Sequence, residues 1–172
     1  MIRATVSSQA PVILLVFSRS FAGYSVIRLL KIEAVQNRFN PSDQQGRLEV
    51  KRLLCVDDSP DMLEILVDLL QPQFTIVGTL SSGASVLEEA TTLNPDIILL
   101  DVDLGDISGF AVAEKLRSSG CPASVVFLSV HESIDFIRAA KDLGAAGYVC
   151  KSHITRDLVK TLQAAASRPG TV

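Results

Sequence analysis

From Lys51 onward the chain has a regular rhythm. Short, nearly unbroken aliphatic runs alternate with longer stretches whose apolar residues recur every three or four positions. The short runs read as strands buried on both faces, and the longer stretches as amphipathic helices laid against them. The clearest run is Ile97-Ile98-Leu99-Leu100, preceded by Pro95 and Asp96 and stopped abruptly by Asp101. A carboxylate therefore caps a buried strand.

The other elements follow in order. Arg52 to Val56 is a short strand ending in Asp57-Asp58. Ser59 then offers an N-cap and Pro60 a first helical position, ahead of Met62, Leu63, Leu66 and Leu70. Gln73 to Val77 is the second strand, and Ala84 to Thr92 a helix carrying Val86, Leu87 and Ala90. After the central strand, Ser108 caps a helix with Phe110, Ala113 and Leu116 inward, ending before Gly120 and Pro122. Ser124 to Leu128 is a fourth strand stopping at Ser129, and Ile134, Ile137 and Ala140 belong to a helix ended around Gly144. Ala146 to Cys150 is a fifth strand closed by Lys151, and the helix from about Thr155 to Ala166 turns Leu158, Leu162 and Ala165 inward. Five strand-helix units demand a parallel sheet with helices on both faces, and right-handed crossovers favour a doubly wound, flavodoxin-like α/β fold of strand order 2-1-3-4-5.

The charge distribution divides the chain. Residues 1–40 hold Arg3, Arg19, Arg28, Lys31 and Arg38 against Glu33 alone, whereas the remainder carries 11 basic and 18 acidic residues. An acidic main body without a basic face is a poor candidate for direct nucleic-acid binding. The apolar run Val12 to Phe17 is far short of the roughly 20 residues of a membrane span, and its flanks are poor for an export signal. In the stretch from Tyr24 to Phe39, Ile27, Leu30 and Ala34 share a helical face, with Arg28, Lys31 and Arg38 among the polar positions, which suits a membrane surface, a partner or its own domain. The polar, breaker-rich stretch Asn40-Pro41-Ser42-Asp43-Gln44-Gln45-Gly46 marks a linker, taken as residues 41–50. The expected organisation is thus an extension (1–40), a linker (41–50), the main unit (51–167) and a tail (168–172). A further expectation is that synthesis in the cell begins near Val50, since nothing before Lys51 is needed by the unit that follows.

Three cysteines, Cys55, Cys121 and Cys150, fit no disulfide framework and suit the cytoplasm. Cys55 and Cys150 lie in apolar runs, where a thiol behaves as a small hydrophobe. His131 and His153 lack the partners of a zinc site in the sequence and read as non-ligands.

The candidate chemistry comes from strand ends. Asp57 and Asp58 follow the first strand, Asp101 the third, Ser129 the fourth and Lys151 the fifth. In a parallel sheet all these ends share one edge, where ligands bind. Three carboxylates within about 5 Å repel by roughly 3 kcal/mol per pair at an effective dielectric near 20. That arrangement needs a cation, and oxygen ligands with room for water suit Mg²⁺. A carboxylate beside Mg²⁺ can attack a phosphoryl group and form an acyl phosphate. Asp101 is the expected nucleophile, with Lys151 and the Ser129 hydroxyl as partners for the phosphoryl oxygens.

These residues carry a resemblance. The Cys55-Val56-Asp57-Asp58-Ser59 segment, the Leu100-Asp101-Val102-Asp103-Leu104 block with Gly109, the Leu128-Ser129-Val130 strand end and the run Gly144 to Ser152 resemble the receiver domain of two-component response regulators. The last run is most similar to receivers of the NarL/FixJ type, here without the helix-turn-helix output domain. The resemblance implies a single-domain response regulator that accepts a phosphoryl group at Asp101 from a sensor histidine kinase or phosphotransfer protein. The resemblance further implies that it catalyses its own phosphorylation and dephosphorylation only. The resemblance also implies that Asp58 and Asp101 bind Mg²⁺ directly, Asp57 through water and Asp103 through its backbone carbonyl. Ser129 and Tyr148 would be the switch that re-shapes a surface for a downstream protein target or a phosphorylation-dependent homodimer. For Tyr148 an ordinary half-buried strand position is the other reading.

Three departures stand out. Gly105 occupies a position where many receivers have Pro, Ser152 follows the lysine where Pro is frequent, and His131 and Asp103 lie where receivers tune acyl-phosphate hydrolysis. Two alternatives remain open: a haloacid-dehalogenase-like phosphatase, through Asp101-Val102-Asp103, and an interaction module that keeps the fold without phosphorylation.

Overall fold

The run Ile97-Ile98-Leu99-Leu100 is buried without remainder, each residue at 0% exposure. Burial of each such side chain is worth about 1.5–3 kcal/mol before ordering costs. The structure, a computed structural model, describes residues 50–167. The extension, its basic helical stretch, the apolar run, the linker up to Glu49 and the tail lie outside the described residues. In chain order the elements are β1 (Arg52–Val56), α1 (Pro60–Leu70), β2 (Thr75–Leu80), α2 (Val86–Leu93), β3 (Ile97–Asp101), α3 (Gly109–Ser118), β4 (Ser124–Ser129), α4 (Ile134–Asp142), β5 (Gly147–Cys150) and α5 (Ile154–Ala166). Short 3₁₀ turns, Gly83–Ser85 and Lys151–His153, precede α2 and α5.

The five strands form one sheet in the order β2-β1-β3-β4-β5, every pair parallel. Successive strand residues face opposite sides, so two cores result. Leu53, Cys55, Ile97, Leu99, Val126, Leu128 and Val149 meet α1 and α5 through Leu66, Leu70, Leu158 and Leu162. Leu54, Val56, Ile98, Leu100 and Phe127 meet the α2, α3 and α4 side through Val86, Val112, Leu116 and Ala140.

Helix starts follow the cap residues. Ser59 accepts the Met62 amide and Pro60 opens α1, while Ser108 accepts the Phe110 amide and opens α3. The Arg52 guanidinium donates to the carbonyls of Leu93 and Asn94 at the end of α2, and its amide donates to Asp96. The residues that bracket β3 thereby also fasten β1.

Three local expectations need correction. The second strand begins at Thr75, because the amides of Gln73 and Phe74 donate back to the Leu70 carbonyl and keep that stretch in the helix terminus. It also runs on to Leu80, with an irregularity opposite Leu53 and Leu54. The second helix starts at Val86 rather than Ala84, because Ser82 caps the intervening 3₁₀ turn. Finally, Cys150 is not wholly buried: it ends β5 at the open rim, and its thiol donates to Glu132 Oε1 at 3.2 Å.

Cys55 does behave as a core hydrophobe, at 0% exposure. Burial pushes its thiol up to about 12, leaving almost no thiolate to react near neutrality. Titration of the native protein with a thiol reagent at pH 8 will therefore find Cys121 and Cys150, both partly exposed. Cys55 will react only after denaturant is added. Modification of Cys55 at the same rate as the other two would contradict this packing.

Candidate functional site

The carboxyl ends of β1, β3 and β5 place three charged groups in contact. The Lys151 ammonium lies 2.7 Å from Asp57 Oδ2 and 2.7 Å from Asp101 Oδ2. Its side chain is 16% exposed, against 0% for Asp57 and 3% for Asp101. Residues 94 positions apart in sequence are thus brought to one buried point by the strand order alone.

Each carboxylate is also held by backbone. Asp57 Oδ1 accepts the Ser59 amide at 3.0 Å, tying it to the cap of α1. Asp101 Oδ1 accepts the Asp103 amide at 3.2 Å, which turns the chain sharply after β3. Burial raises the Asp101 carboxyl above the ordinary aspartate range, although the Lys151 hydrogen bond and charge pull the other way. For Lys151, burial alone would lower the ammonium, but hydrogen bonds and charges from Asp101 and Asp57 outweigh it and hold it above the usual lysine value. The cation is thus locked in its charged form.

The acidic set fits a hard divalent cation. Carboxylate oxygens of Asp57, Asp58 and Asp101 all lie within 4.8 Å of one another. Asp57 Oδ2 is buried without a hydrogen-bond partner, and the Lys151 ammonium lies 2.7 Å from it as an ion pair. A buried carboxylate oxygen left in that condition is an acceptor waiting for a cation.

The remaining expected site residues surround this centre. Ser129 ends β4 at 0% exposure, and its hydroxyl accepts the His131 amide at 3.1 Å. Tyr148 is half-buried, and its hydroxyl donates to the His131 carbonyl at 2.7 Å. Burial raises its phenol above the ordinary tyrosine value. Asp103 is not brought to the acidic set by its side chain; Asp103 Oδ2 instead meets His131 Nε2 at 3.1 Å. The His131 ring in turn stacks on Phe136 at 4.1 Å between centroids. Gly105 adopts φ 72°, which proline cannot reach, so the loop as turned here excludes proline at that position. The Lys151–Ser152 peptide is trans, as are all peptides of the described residues.

Two groups escaped the sequence reading. Asp106 accepts the Ser82 hydroxyl at 2.7 Å and the Gly83 amide at 3.4 Å, joining the turn before α2 to the loop after Asp101. These hydrogen bonds, led by Ser82, hold the Asp106 carboxyl below its ordinary range. A Ser-Gly turn and an Asp 24 positions apart give no local signal of meeting. The second group is Glu132, Cys150 and His153, whose donor atoms converge. His153, read from the sequence as a non-ligand, has Cys150 at the end of β5 and Glu132 from the loop before α4 beside it.

Comparison with known proteins follows this geometry. Residues 53–163 match the family model described as the response regulator receiver domain. The nitrate/nitrite response regulator protein NarL of Escherichia coli K12 is 33% identical over 121 residues, covering 69% of this chain and 56% of that protein. Among solved structures, the signal receiver domain of NarL from Mycobacterium tuberculosis aligns with TM-score 0.64 at 32% identity, covering 70% of this chain and 99% of that one. The response regulator domain of Thermotoga maritima CheB aligns with TM-score 0.63 at 27% identity, covering 70% and 100%. The chain spans about half the length of the NarL relative it matches. No described helix is long and apolar enough to cross a membrane. On its sheet order, its matched span and its relatives, the chain belongs to the response regulator receiver domain family of two-component signalling.

Proposed function

We propose that this chain is a phosphorylation-controlled protein switch whose phosphoryl acceptor is Asp101. The observation that carries the reading is the Lys151 ammonium held 2.7 Å from both Asp57 and Asp101 in a buried cluster. In the transfer, an Asp101 carboxylate oxygen forms a bond to phosphorus as the P–N bond of a phosphohistidine breaks. The imidazole of the sensor kinase or phosphotransfer protein leaves with the electron pair. Asp58 and Asp101 would hold Mg²⁺ directly, Asp57 through water and Asp103 by its backbone carbonyl. When bound, the ion neutralises charge on the transferring oxygens.

This chain's own residues do the rest. Lys151 keeps its charge at all ordinary pH and pairs with a phosphoryl oxygen once Asp101 carries the acyl phosphate. The Ser129 hydroxyl donates to a second oxygen, exchanging its present contact with the His131 amide. Since Tyr148 holds the His131 carbonyl, movement at Ser129 is passed to the loop before α4 and to the surface that a downstream protein reads. On this reading the protein works in a cytoplasmic phosphorelay, and its acidic receiver unit makes no direct contact with nucleic acid.

The test is labelling with acetyl phosphate and Mg²⁺, followed by intact mass. The expected result is up to one phosphoryl group per chain, absent when the metal is chelated before the donor is added and absent in Asp101→Asn. Labelling that survives in Asp101→Asn would show the acceptor to be another residue, and catalytic turnover of phosphate monoesters would point to a phosphatase.

A further inference from the structure

Beside Lys151, on the solvent side of the sheet rim, stands a second set of donors with different chemistry. Glu132 comes from the loop between β4 and α4, Cys150 is the last residue of β5, and His153 lies in the 3₁₀ turn that follows. One donor atom from each lies within 4.8 Å of the others. Cys150 Sγ is 3.2 Å and His153 Nδ1 is 4.0 Å from the same atom, Glu132 Oε1. The Ser152 hydroxyl sits among them, 2.6 Å from Glu132 Oε1, 3.1 Å from Cys150 Sγ and 3.2 Å from His153 Nδ1.

These separations are those of a metal's ligand shell. Zn²⁺ takes sulfur at about 2.3 Å and nitrogen or oxygen at about 2.0–2.2 Å in a tetrahedron, which puts ligand atoms roughly 3.3–3.8 Å apart. The observed 3.2 and 4.0 Å bracket that edge. The donor types select the ion as well. A thiolate, an imidazole and a carboxylate suit a borderline-soft cation, whereas the acidic set at Asp57, Asp58 and Asp101 suits a hard one. The two sites on one rim thus differ in the metal they prefer.

Access and composition agree. The His153 and Glu132 side chains are 44% and 58% exposed, so the ion enters from solvent. The whole chain has three cysteines and two histidines. Of these, Cys55 is sealed in the core and His131 faces Asp103. Cys150 and His153 are the pair that share an open cluster.

We propose that Glu132, Cys150 and His153 form a three-residue Zn²⁺ site, with the fourth position taken by water or by the Ser152 hydroxyl. On binding, the Cys150 thiol gives its proton to water as the sulfur–zinc bond forms, and thiolate and carboxylate together balance the ion's charge. The ion ties the loop after Ser129 to the turn that follows β5, and so clamps two arms of the rim. The site stands independently of the phosphoryl-acceptor reading.

The experiment uses the untagged full chain, stripped of metal. Zn²⁺ is titrated against a chromophoric chelator, and Co²⁺ serves as a spectroscopic probe. The expected result is one ion per chain, with Co²⁺ giving a thiolate charge-transfer band and the intense visible bands of tetrahedral coordination. Cys150→Ser, His153→Ala and Glu132→Gln each weaken binding by more than about tenfold, the least expected even for loss of an outer-shell partner. With excess Mg²⁺ present throughout to fill the acidic set, Cys121→Ser leaves both the stoichiometry and the spectrum unchanged. These four positions and Asp58 are at least partly exposed, and unchanged circular dichroism confirms that each variant folds. Absence of binding, a spectrum without sulfur ligation, or loss of binding in Asp58→Asn but not in Cys150→Ser would overturn the assignment.

Discussion

Lys151→Ala will lose about 3–5 kcal/mol of stability at neutral pH in the absence of divalent cations, the usual cost of removing one partner from a buried ion pair. The ammonium touches two carboxylates that are 0% and 3% exposed. Its removal leaves both charged and unpartnered. The variant relieves itself by taking up a proton, so its deficit shrinks in acid. The sign follows from Asp101, whose folded value is raised above the unfolded 3.8. The folded chain then holds a proton that the unfolded chain has released, and the stability this gives is full below about pH 3.8 and lost as pH rises through the folded value. Lys151 acts at the other end of the scale. Its folded value is raised above 10.5, so its contribution is full below that pH and lost as pH rises through the folded value, a loss the variant does not show.

Denaturant melts of parent and variant at pH 5 and pH 8, with and without Mg²⁺, check this directly. The gap should be largest at pH 8 with chelator and should narrow on adding Mg²⁺. The double change Asp101→Asn with Lys151→Ala should recover much of the loss, because it removes an unpaired charge. A single variant with a parent-like midpoint at pH 8 would mean that the ion pair carries no net stability.

Gly109→Ala will cost about 3 kcal/mol, at the upper end for overpacking, and will weaken the site besides. A Cβ at Gly109 would stand 2.0 Å from the Asp101 carbonyl oxygen and 3.0 Å from Asp101 C and Val102 Cα. All three are backbone atoms at the end of β3, with no rotamer to retreat into. The Gly109 amide also donates to the Val102 carbonyl at 2.8 Å, so α3 cannot back away without breaking the turn that aims Asp101. Denaturant midpoints and amide exchange at Val102, which bonds the Leu128 carbonyl, report on the two parts. Slow exchange preserved at Val102 together with an unchanged midpoint would contradict the contact.

The same contrast between sheet and loops explains how much the sequence disclosed. The doubly wound sheet was legible because β3 has no polar residue between Ile97 and Leu100, and a strand so composed needs cover on both faces. Asp57, Asp101, Ser129 and Lys151 were legible for the same reason, as polar stops on apolar runs. The limits of β2 were not, since Gln73 and Phe74 are held by a helix-terminal carbonyl rather than by a neighbouring strand. Nor were the pairing of His131 with Asp103 or the gathering of Glu132, Cys150 and His153. Those meetings depend on the path of loops, which neither apolar period nor strand length encodes. Cys150 shows the boundary case: the apolar run around it suggested burial, but a strand's last residue belongs to the rim.

The two cores built from alternate residues of shared strands have a practical consequence for spectroscopy. Leu99 and Leu100 are covalent neighbours, yet one side chain lies against α1 and α5 and the other against the α2, α3 and α4 side. Methyl labels on this pair would act as two sensors on opposite sides of a partition a few ångströms thick. A ligand or modification that perturbs one resonance and spares its neighbour would reveal which half of the molecule received the message.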